Sequence, residues 1–206
     1  MKSTNVPTAA RAFLRSDCGR VLDLPSHRWL SAADAVDELA LNRALGPVLD
    51  VGCGPGRHVE ALTARAIATL GIDISSEFVA VAQARGLNVR HRCVFDWLPL
   101  RTWRTILLLD GNIGIGGDPA VLLRRVEQLL AANGRVIVEL TTDASPTRVT
   151  RVRTEVDGIA GPWFAWATVA LGCLRNATAT TNLVVTDEWQ TNDRTFAMLE
   201  LAPERI

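Results

Sequence analysis

The amino-acid sequence predicts an α/β fold in which a doubly wound, mostly parallel sheet is covered by helices on both faces. Two observations support this prediction. Short aliphatic runs typical of buried strands alternate five times with helical patterns, and such alternation forms parallel sheets. Near the end of the chain, the runs 183–189 and 195–201 flank a turn-rich segment, which predicts an antiparallel hairpin added to the sheet.

The five predicted parallel strands are apolar runs that stop at glycine or at charged residues. The run 105–110 contains four consecutive aliphatic residues, which is typical of a strand buried on both faces. The segment 87–94 is the weakest of the five because charged residues interrupt it. In chain order, the predicted strands are 48–51, 68–74, 87–94, 105–110 and 136–140.

Helices are predicted between these strands from side-chain spacing and from capping residues. Ser75 is placed to cap the helix after the second strand, and Asp118-Pro119 supplies an N-cap followed by proline at the first helical position. Asn133-Gly134 predicts the turn that ends this last helix. The helix after the first strand repeats its inward side chains at positions 59, 62, 63 and 66.

The two ends of the chain differ from this middle part. We expect residues 1–45 to form a mostly helical N-terminal cap segment, with a capping box over 31–34. Residues 46–206 are expected to form the main domain. A further helix is predicted over 163–176.

Composition and charge exclude several classes of protein. The chain has 206 residues with a 48% hydrophobic and a 21% charged share, which excludes disordered, collagen-like and coiled-coil chains. Since 22 basic residues balance 22 acidic ones, no overall charge attracts nucleic acid or an anionic membrane. A nucleic-acid partner is therefore disfavoured.

Cysteine and histidine positions give no sign of a metal site. The four cysteines form no C-x-x-C pair, and the three histidines are scattered. Residues 1–20 lack the apolar segment of a secretion signal, and the apolar stretch 163–174 is too short to cross a bilayer. We therefore expect a cytoplasmic protein with no metal and no membrane partner.

The loop after the first parallel strand carries the candidate function. Gly52, Gly54 and Gly56 follow that strand directly, and a helix begins at the last of them. Glycines let the backbone turn sharply and approach a ligand closely, and a helix N-terminus offers free N–H groups to that ligand. Asp73 ends the second predicted strand, where a carboxylate accepts hydrogen bonds from ribose hydroxyls.

Two interpretations of this loop compete. The dinucleotide-binding pattern G-x-G-x-x-G requires glycine at a position that holds Arg57. The observed pattern, D-x-G-x-G-x-G led by Asp50, resembles the first motif of class I S-adenosylmethionine-dependent methyltransferases. The resemblance covers residues 45–142 closely and the C-terminal hairpin loosely. It implies a Rossmann-like domain with a seven-stranded sheet whose last strand is antiparallel.

The resemblance implies cofactor contacts for residues at the ends of the strands. Asp73 would hold the ribose of S-adenosylmethionine, and Ile74 would pack on its adenine. Asp110 and Gly111 would lie beside its methionine tail. The loop residues that would surround the cofactor are Asp50, Gly52, Cys53, Gly54 and Gly56.

One position departs from the family pattern. Many relatives carry an acid four residues before a Leu-Pro pair, where it binds the adenine amino group. In this chain that position is Val94, and the acid is Asp96. Either Asp96 binds the adenine from a shifted loop, or the backbone of Val94 and Phe95 does so. We favour backbone contact with Asp96 nearby.

The resemblance implies catalysis mainly by proximity and alignment, because a methyl sulfonium is reactive without further activation. A base is needed only where the acceptor must lose a proton. The chain has no tyrosine and no Pro-Cys pair, which excludes the motifs of amide and cytosine-C5 methyltransferases. The glycine-rich segment 107–119 resembles poorly characterised small-molecule methyltransferases, and we expect a flexible loop there at the rim of the site.

Five residues are candidates for roles in catalysis or in acceptor binding. Asn112 is a candidate to orient an acceptor, Glu139 to bind or deprotonate it, and His58 to contact cofactor or acceptor. Trp163 and Trp29 are candidates to wall an acceptor pocket. Each also has a structural interpretation, as a turn former, a buried carboxylate, a solvated histidine or a core aromatic residue.

The predicted function is methyl transfer from S-adenosylmethionine to a small metabolite or natural product. One alternative is a methyltransferase acting on RNA or protein. Others are a nicotinamide-dependent oxidoreductase and a cofactor-binding module without catalysis. The oxidoreductase is disfavoured because the third glycine of the dinucleotide pattern is missing.

Overall fold

The computed structural model describes residues 12–22, 26–142, 147–156 and 158–203. Two sheets form in this part of the chain, and helices pack on the larger one. The strands described are β1 (Ala12–Ser16), β2 (Val21–Leu22), β3 (Val48–Val51), β4 (Thr69–Asp73), β5 (Val89–His91), β6 (Trp103–Leu108), β7 (Leu130–Leu140), β8 (Arg148–Val156), β9 (Ile159–Ala160), β10 (Phe164–Thr168), β11 (Leu183–Thr191) and β12 (Arg194–Leu201). The α-helices described are α1 (Ser26–Leu30), α2 (Ala35–Leu41), α3 (Arg57–Ala64), α4 (Ser76–Ala84), α5 (Pro119–Leu129) and α6 (Leu171–Thr178).

The larger sheet has seven strands in the order β11-β12-β7-β6-β3-β4-β5. The strands β5, β4, β3, β6 and β7 pair in parallel, and the hairpin of β11 and β12 is antiparallel to them. This confirms the predicted doubly wound sheet and its C-terminal hairpin. The chain builds outward from β3 to β5 and then returns to β6 on the other side of β3. The direction of winding therefore reverses between β3 and β6.

The central strand β6 is buried on both faces, as its run of aliphatic residues predicts. Ile106 and Leu108 belong to the core cluster that also contains the inward side of α5. Leu107 faces the opposite way, into the cluster beneath α2 and α3. None of the three side chains is exposed to solvent. The predicted N-caps also form, because Ser75 accepts from the Phe78 N–H and Asp118 caps α5.

The smaller sheet contradicts part of the prediction for the N-terminal segment. Its strands have the order β10-β8-β1-β2 and are antiparallel, with β9 paired to β8. The expectation of a mostly helical segment is therefore wrong for residues 12–22, although α1 and α2 follow them. β1 forms because it pairs along its whole length with β8, about 140 positions away in the chain. Local sequence carries little signal for a pairing between segments so far apart.

Three local predictions also differ from the structure. The capping box of α2 is formed by Asp34 and Asp37, not over 31–34. The predicted helix 163–176 is a strand, β10, followed by the helix α6, because the first half pairs with β8. Asn133-Gly134 does not end α5; it lies in an irregular part of β7. A Cβ on Gly134 would lie 2.8 Å from the Trp103 carbonyl oxygen, so this position requires glycine.

The glycine-rich segment after β6 is a packed junction between the two sheets, not the flexible loop that we expected. Asn112–Gly114 forms a short 3-10 helix, and Ile115 makes an isolated β-bridge with Trp166 of β10. A Cβ on Gly114 would overlap the carbonyl oxygen of Ala167. Glycine at this position therefore allows β10 to approach the end of β6.

No helix in the described ranges is both long and apolar enough to cross a membrane.

We predict that Gly114→Ala destabilises the protein by about 1–3 kcal/mol, because the added methyl group has no space beside β10. The free energy of unfolding from urea denaturation measures this change. Gly172→Ala is the matched control, since Gly172 lies in α6 with open space around its Cβ position. It should leave stability unchanged or raise it by up to about 1 kcal/mol. Equal stabilities for the two variants would contradict this account of the junction.

Candidate active site

A cavity of about 210 Å³ lies at the carboxyl ends of the parallel strands, where the winding of the sheet reverses. The loops after β3, β4 and β6 form one side, and β1, β8 and β10 of the smaller sheet form the other. Its lining is mostly apolar. The predicted cofactor residues that line it are Gly52, Cys53, Gly54, Asp73, Ile74, Val94, Phe95 and Asp110.

The glycine loop is held in place by Asn112. Its side-chain amide donates to the carbonyl oxygens of Val51 at 2.8 Å and Gly52 at 3.0 Å. Gly52 has φ +71°, and a Cβ on it would lie 2.7 Å from the Asn112 amide nitrogen. Gly54, with φ +54°, has open space at its Cβ position and lines the cavity. Asn112 also lines the cavity, but its amide donors are committed to the loop.

Asp73 connects the second parallel strand to this loop. One of its carboxylate oxygens accepts from the Gly54 N–H and the other from the Ser75 N–H, both at 2.8 Å. Burial raises the pKa of Asp73 above its ordinary value, because it outweighs the two backbone donors, which lower this pKa. The carboxyl group lies on the cavity wall beside the open space at Gly54.

An apolar end of the cavity lies next to Asp73. Ile74 and Phe95 are each 42% exposed, and Phe78 and Val94 complete the wall. The backbone N–H groups of Val94 and Phe95 donate no hydrogen bond to any described residue. Asp96 does not line the cavity, and its carboxylate accepts from the Cys93 N–H at 3.2 Å. This geometry favours the backbone alternative for recognition of adenine.

The opposite end of the cavity holds a buried ion pair that we did not predict. Arg57, the first residue of α3, binds Asp110 through a hydrogen bond of 2.8 Å and an ion-pair contact of 2.7 Å. Its Nε also donates to Asp37 at 3.0 Å. Burial raises the pKa of Asp110, but attraction from Arg57 outweighs it and holds this pKa below its ordinary value. Asp110 has φ +54°, a conformation that non-glycine residues rarely adopt.

Behind this pair, Arg194 joins the cavity wall to the hairpin. Its guanidinium donates to Asp37 and, through two hydrogen bonds, to Glu139, all at 2.7 Å. Glu139 also accepts from the Asp110 N–H at 2.8 Å. Since Glu139 is buried and does not line the cavity, the structure assigns it to this network and not to an acceptor.

His58 belongs to the same network and does not line the cavity. Its ring nitrogens lie 3.5 Å from Asp37 and 3.6 Å from Asp50, and the side chain is buried. Burial and the charge of Arg57 lower the pKa of His58, but the two carboxylates outweigh them and raise it to about 9. His58 is therefore cationic at neutral pH. The network then has four cations, Arg28, Arg57, His58 and Arg194, and five anions, Asp34, Asp37, Asp50, Asp110 and Glu139.

Other predicted residues lie outside the cavity lining. Asp50 is buried below the loop, with no hydrogen bond to its carboxylate from the described residues. A Cβ on Gly56 would meet Leu87 at 2.8 Å, so Gly56 serves packing of α3. Gly111 packs near Trp166. Trp163 lies beside Arg153 on the surface, so the structure does not support its assignment to an acceptor pocket.

The smaller sheet contributes further cavity residues, and sequence reasoning missed those of β1 and β8. Leu14 and Thr154 come from β1 and β8, and Phe164 and Trp166 come from β10. Trp29, a predicted candidate, also lines the cavity and contacts Phe78 edge to face at 6.0 Å. The β-branched residues of 148–156 were a signal for a strand, but nothing local showed which face would meet the glycine loop.

A glycine loop at the reversal point of the sheet, with an acidic residue at the end of the next strand, is the arrangement of class I S-adenosylmethionine-dependent methyltransferases. In its fold and in this loop the chain is similar to that class, whose cofactor is S-adenosylmethionine. Residues 48–134 match the family described as methyltransferase domain.

Comparisons with known proteins agree with this similarity. An S-adenosylmethionine-dependent methyltransferase from Bacteroides fragilis, solved with S-adenosylhomocysteine, is 25% identical with a TM-score of 0.81, over 95% of this chain and 90% of that chain. A 1,6-didemethyltoxoflavin-N1-methyltransferase from Burkholderia thailandensis is 16% identical with a TM-score of 0.58, over 76% and 71% of the two chains. A trans-aconitate 2-methyltransferase from Mycolicibacterium gilvum is 33% identical over 88 residues, which are 42% of this chain and 34% of that protein.

We predict that the protein loses stability between pH 6.5 and 9 because His58 loses its proton in the folded state. The pKa of His58 is raised from 6.5 to about 9, so its contribution is full below pH 6.5 and is lost as the pH rises through 9. The expected loss is up to about 3 kcal/mol in the free energy of unfolding. Urea denaturation at pH 6 and pH 9.5 measures it.

The control for this prediction is the exposed His91, whose ring forms a hydrogen bond with the Ile74 carbonyl oxygen. His91→Gln should keep the pH dependence of the parent protein, whereas His58→Gln should remove most of it. If both variants retained the full dependence, another group would be responsible.

Proposed function

We propose that this chain transfers the methyl group of S-adenosylmethionine to a small-molecule acceptor. One observation carries the proposal: the cofactor loop and the inner face of the smaller sheet line the same mostly apolar cavity of about 210 Å³. A cavity of this kind takes a small molecule, whereas RNA or a folded protein needs an open and more polar surface. The location in the cytoplasm stays a prediction from the sequence.

The residues along the cavity have side chains that suit the ribose, the adenine and the amino-acid tail of the cofactor. Asp73 has carboxylate lone pairs for the ribose hydroxyls, and Ile74 and Phe95 offer apolar surface to the adenine. The open space at Gly54 lets the ligand approach the backbone. At the other end, the paired charges of Arg57 and Asp110 suit a zwitterionic amino-acid tail.

When bound, S-adenosylmethionine supplies an electrophilic methyl group on a sulfonium. The residues of this chain align the acceptor with that group and exclude water. Asp110 is a weak base because Arg57 lowers its pKa, and Cys53 stays a neutral thiol because burial raises its pKa. We therefore propose catalysis by alignment, with no proton transfer to either residue.

The first experiment is titration calorimetry of the purified protein with S-adenosylhomocysteine and, in parallel, with NAD. Micromolar binding of S-adenosylhomocysteine and no binding of NAD is expected. Binding of NAD alone would favour the oxidoreductase alternative and overturn the proposal. If S-adenosylhomocysteine binds but no acceptor in a broad screen is methylated, the alternative of a non-catalytic binding module is favoured.

We predict that Gly54→Val weakens binding of S-adenosylhomocysteine at least about 100-fold, which corresponds to about 3 kcal/mol, because the side chain fills the space beside the cofactor loop. Calorimetry measures the change. Gly86→Val is the matched control, since Gly86 also has positive φ and open space at its Cβ position but does not line the cavity. Both variants carry backbone strain, so only Gly54→Val should affect binding. Unchanged binding by a folded Gly54→Val variant would contradict the placement of the cofactor.

A further inference from the structure

The cavity extends beyond the proposed cofactor contacts to the inner face of the smaller sheet. Leu14 and Thr154 are direct cross-strand partners on β1 and β8, so both side chains face the same way. Phe164 and Trp166 are two residues apart on β10 and share a face. All four line the cavity, and Trp29 of α1 completes this acceptor wall.

The charged side chains next to these lining residues in the smaller sheet do not line the cavity. Arg15 and Arg153 flank the lining residues in sequence, and both form ion pairs with Glu155 at 2.6–2.9 Å. None of these three lines the cavity. The acceptor wall therefore carries no charged side chain among the residues that the structure describes.

Four charged residues, Arg57, Asp73, Arg92 and Asp110, line the rest of the cavity, and two of them neutralise each other. Arg57 and Asp110 are joined by a hydrogen bond and a second ion-pair contact, and Arg57 also binds Asp37. A carboxylate or phosphate on the acceptor would have to compete with Asp110 for Arg57 or remain unpaired. Burying an unpaired charge in an apolar cavity is costly.

The shape and polarity of the wall add two further constraints. The rings of Phe164 and Trp166 meet edge to face, with centroids 6.2 Å apart, and Trp29 adds a third aromatic surface. Aromatic walls favour planar apolar ligands. The Thr154 hydroxyl makes no hydrogen bond with the described residues, so it can bind one polar group of the ligand.

We propose that the methyl acceptor is an uncharged, planar and mostly apolar molecule bound between the cofactor loop and the acceptor wall. The proposal rests on the proposed function and names its substrate class. Phosphorylated and polycarboxylate acceptors are excluded by it.

The test uses two probes of equal shape that differ in charge, 2-naphthamide and 2-naphthoate. Each is titrated by calorimetry into the full chain saturated with S-adenosylhomocysteine. The neutral amide should bind about tenfold or more tightly than the anion, a difference of at least about 1.4 kcal/mol. Equal or tighter binding of 2-naphthoate would overturn the proposal, and so would binding of neither probe at 1 mM, roughly the weakest affinity of interest.

Variants locate the probe in the cavity. Trp166→Ala should weaken 2-naphthamide binding at least about tenfold and leave S-adenosylhomocysteine binding unchanged. Trp163→Ala is the matched control on the surface and should change neither. Thr154→Lys places a cation in the wall and should reverse the preference toward 2-naphthoate. Unchanged preference in Thr154→Lys would show that the probes bind elsewhere and overturn the proposal.

The experiments can disprove the acceptor class without disproving the proposed function. If S-adenosylhomocysteine does not bind, the proposed function is wrong, and the acceptor class falls with it. If it binds while the anion is preferred, the acceptor class is wrong, and the acceptor screen then decides whether the proposed function is correct.

Discussion

The position of Arg57 controls how the rest of the site is built. Its guanidinium is buried between Asp110 at the end of β6 and Asp37 in α2, and it follows the glycine loop directly. Three elements that are distant in the chain are therefore held together by one cation. Removing one partner of such a buried group leaves an uncompensated charge, so the arrangement has little tolerance for change. The cavity shape depends on this constraint.

The charge network also explains why several chemically attractive residues are not placed for catalysis. Glu139, His58 and Asp50 have the side chains of acids and bases, but each faces another charged group behind the cavity wall. They hold strand ends and helix starts in place for the residues that do line the cavity. The cavity itself is left mostly apolar, which suits a reaction that depends on alignment and on the exclusion of water.

Much of the fold was predictable because its signals are local. The alternation of aliphatic runs and helices gave the parallel strands, and capping residues such as Ser75 and Asp118 gave helix starts. The smaller sheet was not predictable in this way. β1 and β8 pair with each other across a long sequence separation, and the local sequence of neither strand indicates its partner.

The sequence by itself determined the parallel sheet, the glycine loop and the acidic residue Asp73 beside it, because each depends on residues that are close in the chain. Only the tertiary structure decided how the acceptor side is built. The glycine-rich segment after β6 permits close packing, but the approach of β10 to Gly114 is a long-range contact. Likewise, a charged residue such as Arg57 shows no local sign of burial, since its partners come from distant parts of the chain.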